Sequence, residues 1–150
     1  MLADPDIAEW GGADEVFARL AGAWSLARSI DTGASMAGRA TFTTRSDGSL
    51  AYHERGLLTL SGSQTFEAER RYVFRASPGG FSVFFAETPE RLFHRIVLIP
   101  VHGGLRGEAV HPCRDDSYVS TYDFHGDRFA ITHDVSGPTK SYRSHTTYTR

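Results

Sequence analysis

The sequence predicts an all-β fold: about ten short strands in an antiparallel up-and-down barrel, closed at one end by one short N-terminal helix. Three observations carry this expectation. Apolar and polar residues alternate with period two through most of the chain, the spacing of a half-buried strand. Turn signals rich in Gly, Pro, Asp and Ser recur at roughly the 8–12-residue interval of a meander. Only one stretch shows helical spacing, and it precedes the first strand. Short sequential strands joined by tight turns either stack as a sandwich or close into a barrel.

Residues 1–12 read as a flexible leader, punctuated by Asp4-Pro5 and Gly11-Gly12 and without a period. Residues 13–150 read as a single barrel domain. Its helix is expected from Ala13 to Ala21. Asp14 can cap it, Val16, Phe17 and Leu20 form one apolar stripe, and Gly22 stops it. Trp24, Leu26, Arg28 and Ile30 then alternate with Ala23, Ser25, Ala27 and Ser29. Ala40 to Phe42 belongs to a second strand that ends at Ser46-Asp47-Gly48, a hairpin signal. Leu50, Tyr52 and Glu54 lead through Gly56 into Leu58 and Leu60, and Ser61-Gly62-Ser63 turns the chain. Phe66-Ala68-Arg70-Tyr72-Phe74 is the cleanest alternating run, opposed by Glu67, Glu69, Arg71 and Arg75. After Pro78-Gly79-Gly80 the pattern resumes with Phe81, Val83 and Phe85. Arg91 to Leu98 and Leu105 to His111 form two further strands around Pro100 to Gly104. Tyr118 to Phe124 turns at Gly126-Asp127, Phe129 to Val135 turns at Gly137-Pro138, and a final strand runs from Lys140 to Arg150.

Composition narrows the function classes. A chain of 150 residues supplies one domain. Such a domain buries roughly two-thirds of its unfolded surface and needs no staple. Cys113 is the only cysteine, so no intrachain disulfide forms. Sixteen basic residues against 18 acidic ones, with a pI near 6.4, argue against a nucleic-acid partner held by phosphate neutralisation. No apolar run reaches the roughly 18 residues of a membrane span. Met1-Leu2-Ala3-Asp4-Pro5-Asp6 lacks the basic and apolar regions of a signal peptide. The expectation is a cytoplasmic domain with no nucleic acid and no membrane span; a homodimer is compatible with it.

The inner faces carry polar groups among apolar ones: Arg70, the tyrosines Tyr118 and Tyr122 with Ser120, and His133. A dry core rarely accepts so many, because each needs a partner. A ligand-filled barrel of this size accepts them readily. Arg70 shares its face with Ala68 and Tyr72. An inward arginine is a natural anchor for a carboxylate or phosphate; the alternative is an internal ion pair with Glu54, which shares a face with Tyr52. His111, Cys113, Asp116 and Tyr118 form the densest polar cluster. It can be read as a transition-metal site with His94, as a cysteine nucleophile activated by His111, or as an ordinary strand end and turn. Lys140 and Tyr142 lie together after Gly137-Pro138.

Two further features carry a resemblance. Gly22-Ala23-Trp24 stands at the start of the first strand, directly after the helix, and a basic residue, Arg150 or alternatively Arg143, stands near the end of the last strand. In this the chain resembles the calycin superfamily, the lipocalin-like and fatty-acid-binding-like barrels. The resemblance implies that Trp24 closes the barrel floor with Arg150 packed over it. The chain also resembles an uncharacterised bacterial domain-of-unknown-function family of about its own length. The matching pieces include Tyr52-His53-Glu54-Arg55-Gly56, Arg70-Arg71-Tyr72, His111-Pro112-Cys113 with Asp116 and Tyr118, and Gly137-Pro138-Thr139-Lys140-Ser141-Tyr142. Phe129 and His133 stand where that family's pattern usually has Trp. Some calycin-like barrels bind haem through one His, which makes His133, His94 and His145 the haem candidates; no cofactor is otherwise expected.

The resulting expectation is a small-molecule-binding protein that holds a hydrophobic or aromatic organic acid in a calycin-like barrel. Phe85, Phe66, Phe74, Tyr118 and Trp24 would supply walls. Arg70 would hold the anion, with Tyr72, His94, Tyr122, His133, Lys140 and Tyr142 completing the site. The alternatives are a cofactor-independent isomerase, cyclase or lyase using His111, Tyr118 and Glu54, and a filled structural barrel without a ligand.

Overall fold

A computed structural model describes residues 9–150. Among the described residues it is an all-β meander of eleven antiparallel strands with a short helix, α1 (Val16–Arg19), before the first strand. The strands are β1 (Gly22–Ile30), β2 (Ser35–Thr44), β3 (Leu50–Thr59), β4 (Thr65–Ser77), β5 (Gly80–Phe85) and β6 (Arg91–Val97). They continue with β7 (Ile99–Val101), β8 (Gly104–Cys113), β9 (Asp116–His125), β10 (Arg128–Ser136) and β11 (Ser141–Thr149). All belong to one sheet in the order β6-β5-β4-β3-β2-β1-β11-β10-β9-β8-β7. Each strand pairs with its chain neighbour, except that β1 pairs with β11 and β6 does not pair with β7. The sheet curls until β6 meets β8, giving a nearly closed barrel. Gly107 allows this seam, since a Cβ there would press on the Ile96 side chain and sit 3.0 Å from the Val97 carbonyl oxygen.

The strand beyond the expected ten is β7, three residues that include Pro100. It lies at the sheet edge, where a residue without an N–H is tolerated. The helix is four residues rather than the nine expected from Ala13 to Ala21. Asp14 does not cap it; its carboxylate accepts the Gly79 N–H at 2.8 Å instead, and Glu15 at the N-cap makes no side-chain cap bond. Gly22, at φ +119°, turns the chain into β1. Of the leader expected over residues 1–12, residues 1–8 lie outside the described residues. Trp10 corrects the rest of that reading: it is buried, stacked on Trp24 at 5.8 Å, and donates Nε1–H to the Arg128 carbonyl.

The barrel has two ends. At the closed end seven strands turn rings inward, Trp24, Phe42, Phe74, Phe81, Phe124, Phe129 and Tyr148, each 2% exposed or less, and β3, β6 and β8 add Leu50, Ile96 and Leu105. Val16 and Leu20 of the helix segment seal this end. Trp24 Nε1–H donates to the Leu20 carbonyl at 2.9 Å. The Arg150 guanidinium lies 3.9 Å above the Trp24 ring and donates to the Arg19 carbonyl at 2.8 Å. The barrel-closing pair is therefore Trp24 with Arg150. Arg143 instead bonds Asp134 on the exposed face. Phe74 and Trp24, expected as ligand walls, belong to this packed end, and Phe66 is exposed to solvent at the rim.

Candidate functional site

The other end of the barrel is open and holds a cavity of about 600 Å³. The volume follows from residue size. Where the closed end places rings, the inward positions of β2, β3, β4 and β11 here carry Gly38, Gly56, Ala68 and Ser144. Gly38 and Gly56 face each other across β2 and β3, and a Cβ on either would run into the other strand's backbone.

Across the middle of the barrel runs a layer of charge. Arg28 of β1 and Glu54 of β3 form a bidentate pair, with Nη1 to Oε2 at 2.7 Å and Nη2 to Oε1 at 2.8 Å. Both side chains are buried, at 9% and 3%. Arg28 Nε also donates to Thr146 at 2.7 Å. The Tyr52 hydroxyl donates to Glu54 at 2.6 Å, so the Tyr148 hydroxyl, 2.8 Å away, donates to Tyr52. Burial alone would push the Glu54 carboxyl up; the Arg28 hydrogen bonds and charge outweigh it and hold it below the usual carboxylate range. Burial raises both phenols, Tyr52 well above its ordinary value and Tyr148 to about 12. Glu54 is thus fully engaged, with two guanidinium bonds and one phenol bond. This removes it as a free acid–base group.

Arg70 of β4 pairs in register with Glu54, yet Glu54 is committed to Arg28. Among the described residues no carboxylate lies within 4 Å of the Arg70 guanidinium, so the alternative reading, an Arg70–Glu54 ion pair, does not form. Arg70 lines the cavity and remains reachable by solvent. With two guanidiniums to one carboxylate, the layer carries one positive charge more than it neutralises.

The wall beside Arg70 is aromatic. Phe85 lies 4.7 Å from Phe93, Tyr72 5.9 Å and His133 5.9 Å, with interplanar angles of 25°, 24° and 25°. His111 and Tyr118 meet Phe93 edge-on, at 87° and 83°. The opposite wall is aliphatic: Ile30, Ala34, Met36, Leu58, Leu60 and Ala68. His133 is held at Nδ1 by the Ser120 hydroxyl at 2.7 Å. Burial, and then the charges of Arg70 and Arg28, lower its pKa to about 4, so the ring is neutral near pH 7.

Of the residues expected at the site, Arg70, Tyr72, Phe85, Tyr118, His133 and Tyr142 line the cavity, as do His111, Glu54 and Cys113. Three stand elsewhere. His94 is buried behind Phe93, with Nε2 2.8 Å from the Tyr122 hydroxyl and Nδ1 without a partner among the described residues. Burial, then His133 and His111, lower its pKa to about 3. Tyr122 is that partner and is equally buried. Lys140 lies outside the rim and donates to the Tyr118 hydroxyl at 3.1 Å. The reason for the His94 displacement is a bulge: Val83 pairs with His94 but Phe84 pairs with Leu92, so Phe93 is the extra residue and both Phe93 and His94 turn inward. His145 points out of the barrel, to Thr132. Asp116 faces Thr139 across the turns, away from a ligand set. Among the described residues no group of three His, Cys, Asp or Glu side chains converges as metal ligands would.

The site residues absent from the sequence reading are Arg28, Phe93 and the aliphatic wall. Arg28 did leave a signal, since it alternates with Trp24 and Leu26 on the inward face. Phe93 left none, because the bulge breaks the alternation.

A family model described as a family of unknown function, DUF6314, matches residues 20–150, and the chain belongs to that family. A search of curated proteins finds no match. Among solved structures the chain is similar to EF1p2_mFAP2b bound to DFHBI, at 14% identity over 93% of this chain and 99% of that one, with a TM-score of 0.45. It is also similar to a redesigned β-barrel, mFAP1, bound to DFHBI, at 14% identity over 87% of this chain and 94% of that one, with a TM-score of 0.41. No helix of the described residues is long and apolar enough to cross a membrane.

Proposed function

We propose that this member of the DUF6314 family is a small-molecule-binding protein whose ligand is a hydrophobic or aromatic organic acid, held in the open cavity with its anion on Arg70. One observation carries the reading. Arg70 is a cation facing about 600 Å³ of space; its register partner Glu54 is committed to Arg28, and Glu69 bonds His53. The volume falls within the roughly 300–1,000 Å³ of small-molecule sites, and aliphatic and aromatic walls flank the charged groups as such sites require. A guanidinium fork holds a carboxylate through two charge-assisted bonds. The calycin-like part of this reading is supported by Gly22-Ala23-Trp24 and the Arg150 guanidinium above that indole. The open cavity speaks against the filled-barrel alternative.

A second reading, a cofactor-independent isomerase, cyclase or lyase, draws on one feature. His133 presents a neutral imidazole at the cavity wall, oriented by Ser120, which is the form a general base requires.

Native mass spectrometry of freshly purified protein, against its denatured mass, is expected to show a noncovalent adduct of a small acid. Arg70→Gln is expected to remove the adduct and to weaken added carboxylates by at least about tenfold, about 1.4 kcal/mol. Equal affinity of the variant and the native protein for carboxylates would overturn the assignment. Release of a chemically altered molecule would establish the catalytic reading instead.

A further inference from the structure

We propose that the acid enters anion first and that its body is a flat aromatic ring system rather than an alkyl chain. This rests on the binding function proposed above. The orientation follows from what lies beneath Arg70. Below it the barrel is filled by Tyr52, Tyr148 and Tyr122, and the remaining space there is about 20 Å³. That holds about one water and no ligand atom chain. An anion on Arg70 therefore sits at the cavity's deepest point, and the rest of the ligand extends toward the mouth.

The chemistry of the body follows from the wall it must meet. Phe85, Tyr72 and His133 each lie within 25° of parallel to Phe93, while Tyr72 and Phe85 stand 49° from each other, so one side of the cavity is a tier of rings ranged about Phe93. His111 meets Phe93 edge-on and borders the same space. Aromatic pairs gain beyond their buried area when faces are offset-stacked or met by edges, and this wall offers both arrangements to an incoming ring. The bulge at Phe93 builds the tier, because without the extra residue the ring would point out of the barrel. Met36 stands in the opposite wall, and a thioether sulfur is a favourable neighbour for an aromatic ring. A flat ring is also already rigid, whereas an alkyl chain loses rotamer freedom on entering.

The test is calorimetric titration of the whole protein with three probes: 2-naphthoate, undecanoate (an alkyl acid of equal carbon count) and 2-naphthamide (the neutral counterpart of the first). Naphthoate is expected to bind at least about tenfold tighter than undecanoate, and the amide more weakly than its acid. Phe93→Leu is expected to erase most of the preference for naphthoate while leaving undecanoate nearly unchanged. Phe85→Leu, nearer the mouth, serves the same purpose if Phe93→Leu does not fold. Undecanoate binding as tightly as naphthoate would overturn this inference and leave the binding function standing. Both acids binding no better than the amide would overturn the anion anchor itself.

Discussion

The two ends of this barrel are built from the same alternation and come to opposite results. At the closed end seven strands present a large ring inward, and Trp24, Phe42, Phe74, Phe81, Phe124, Phe129 and Tyr148 interlock without room for solvent. At the open end Gly38, Gly56, Ala68 and Ser144 take inward positions on β2, β3, β4 and β11, between an aromatic wall and an aliphatic one, and a cavity of about 600 Å³ results. Period two decides which residues face inward; their size decides whether the interior is core or cavity. The boundary between the ends is the layer of Arg28, Glu54, Tyr52 and Tyr148, whose hydrogen bonds cross from β1 to β3 and from β3 to β11. Stability is thus expected to reside below this layer and binding above it.

Truncation of rings at the two ends is the strongest test of that division. Trp24→Ala removes a fully buried indole and its bond to Leu20, with an expected loss of about 4 kcal/mol. Phe85→Ala removes a half-buried ring that borders the cavity, with an expected loss of about 2 kcal/mol. Urea unfolding of both variants reads the difference, and equal losses would break the comparison.

The boundary layer gives the next largest contrast. Glu54→Gln leaves Arg28 charged and buried without a counter-ion, at an expected cost of about 3 kcal/mol. Arg70, in register with the same glutamate but free of it, is expected to cost less than about 1 kcal/mol when changed to Ala. A large loss in Arg70→Ala would place it in the structural layer and remove it from the binding end.

Acid sharpens the comparison further. His94 and His133 are both neutral in the fold, with pKa values lowered to about 3 and about 4, chiefly by burial. Below about pH 6.5 the unfolded chain binds their protons and the folded chain does not, so stability falls as pH falls through this window. Each contributes a loss of about 2 kcal/mol between pH 7 and pH 5. His94→Gln is expected to flatten the thermal-unfolding profile over that range by this amount. An unchanged profile would show that His94 is not held neutral by its surroundings.

Much of this arrangement was legible from spacing. The inward faces of Arg70, Tyr72, Phe85, Tyr118, His133 and Tyr142 follow from parity along unbroken strands, and the capping of Trp24 by Arg150 followed from family resemblance. What was not legible depends on curvature and irregularity. Glu54 chose Arg28 over its register neighbour Arg70. The two strands are separated by β2, whose inward residues at that level, Gly38 and Ala40, are small enough to leave a path for the long guanidinium stem. No one-dimensional pattern expresses a contact that reaches across an intervening strand. The bulge before Phe84 likewise inverts the parity of β6, so that His94 fell behind the wall and Phe93 became part of it. The helix was overestimated because Asp14 is drawn away to Gly79, a partner far along the chain.

The pairing of β1 with β11 has a consequence for how the chain reaches this form. Arg28 to Thr146 alone spans 118 positions, and the ladder from Ser25–Thr149 to Ile30–Ser144 closes the barrel wall. Contacts so distant along the chain require a large loop to close before they return any favourable energy, which makes folding slow. The hairpins β2–β3 and β9–β10 can form locally, but the floor cannot: Trp24 meets Phe129 and Arg150 only once both ends of the strand series are present. On a ribosome, β1 emerges first and waits with its indole uncovered until the last strand arrives. The most robust part of the finished molecule is therefore the last to assemble and the most exposed during synthesis.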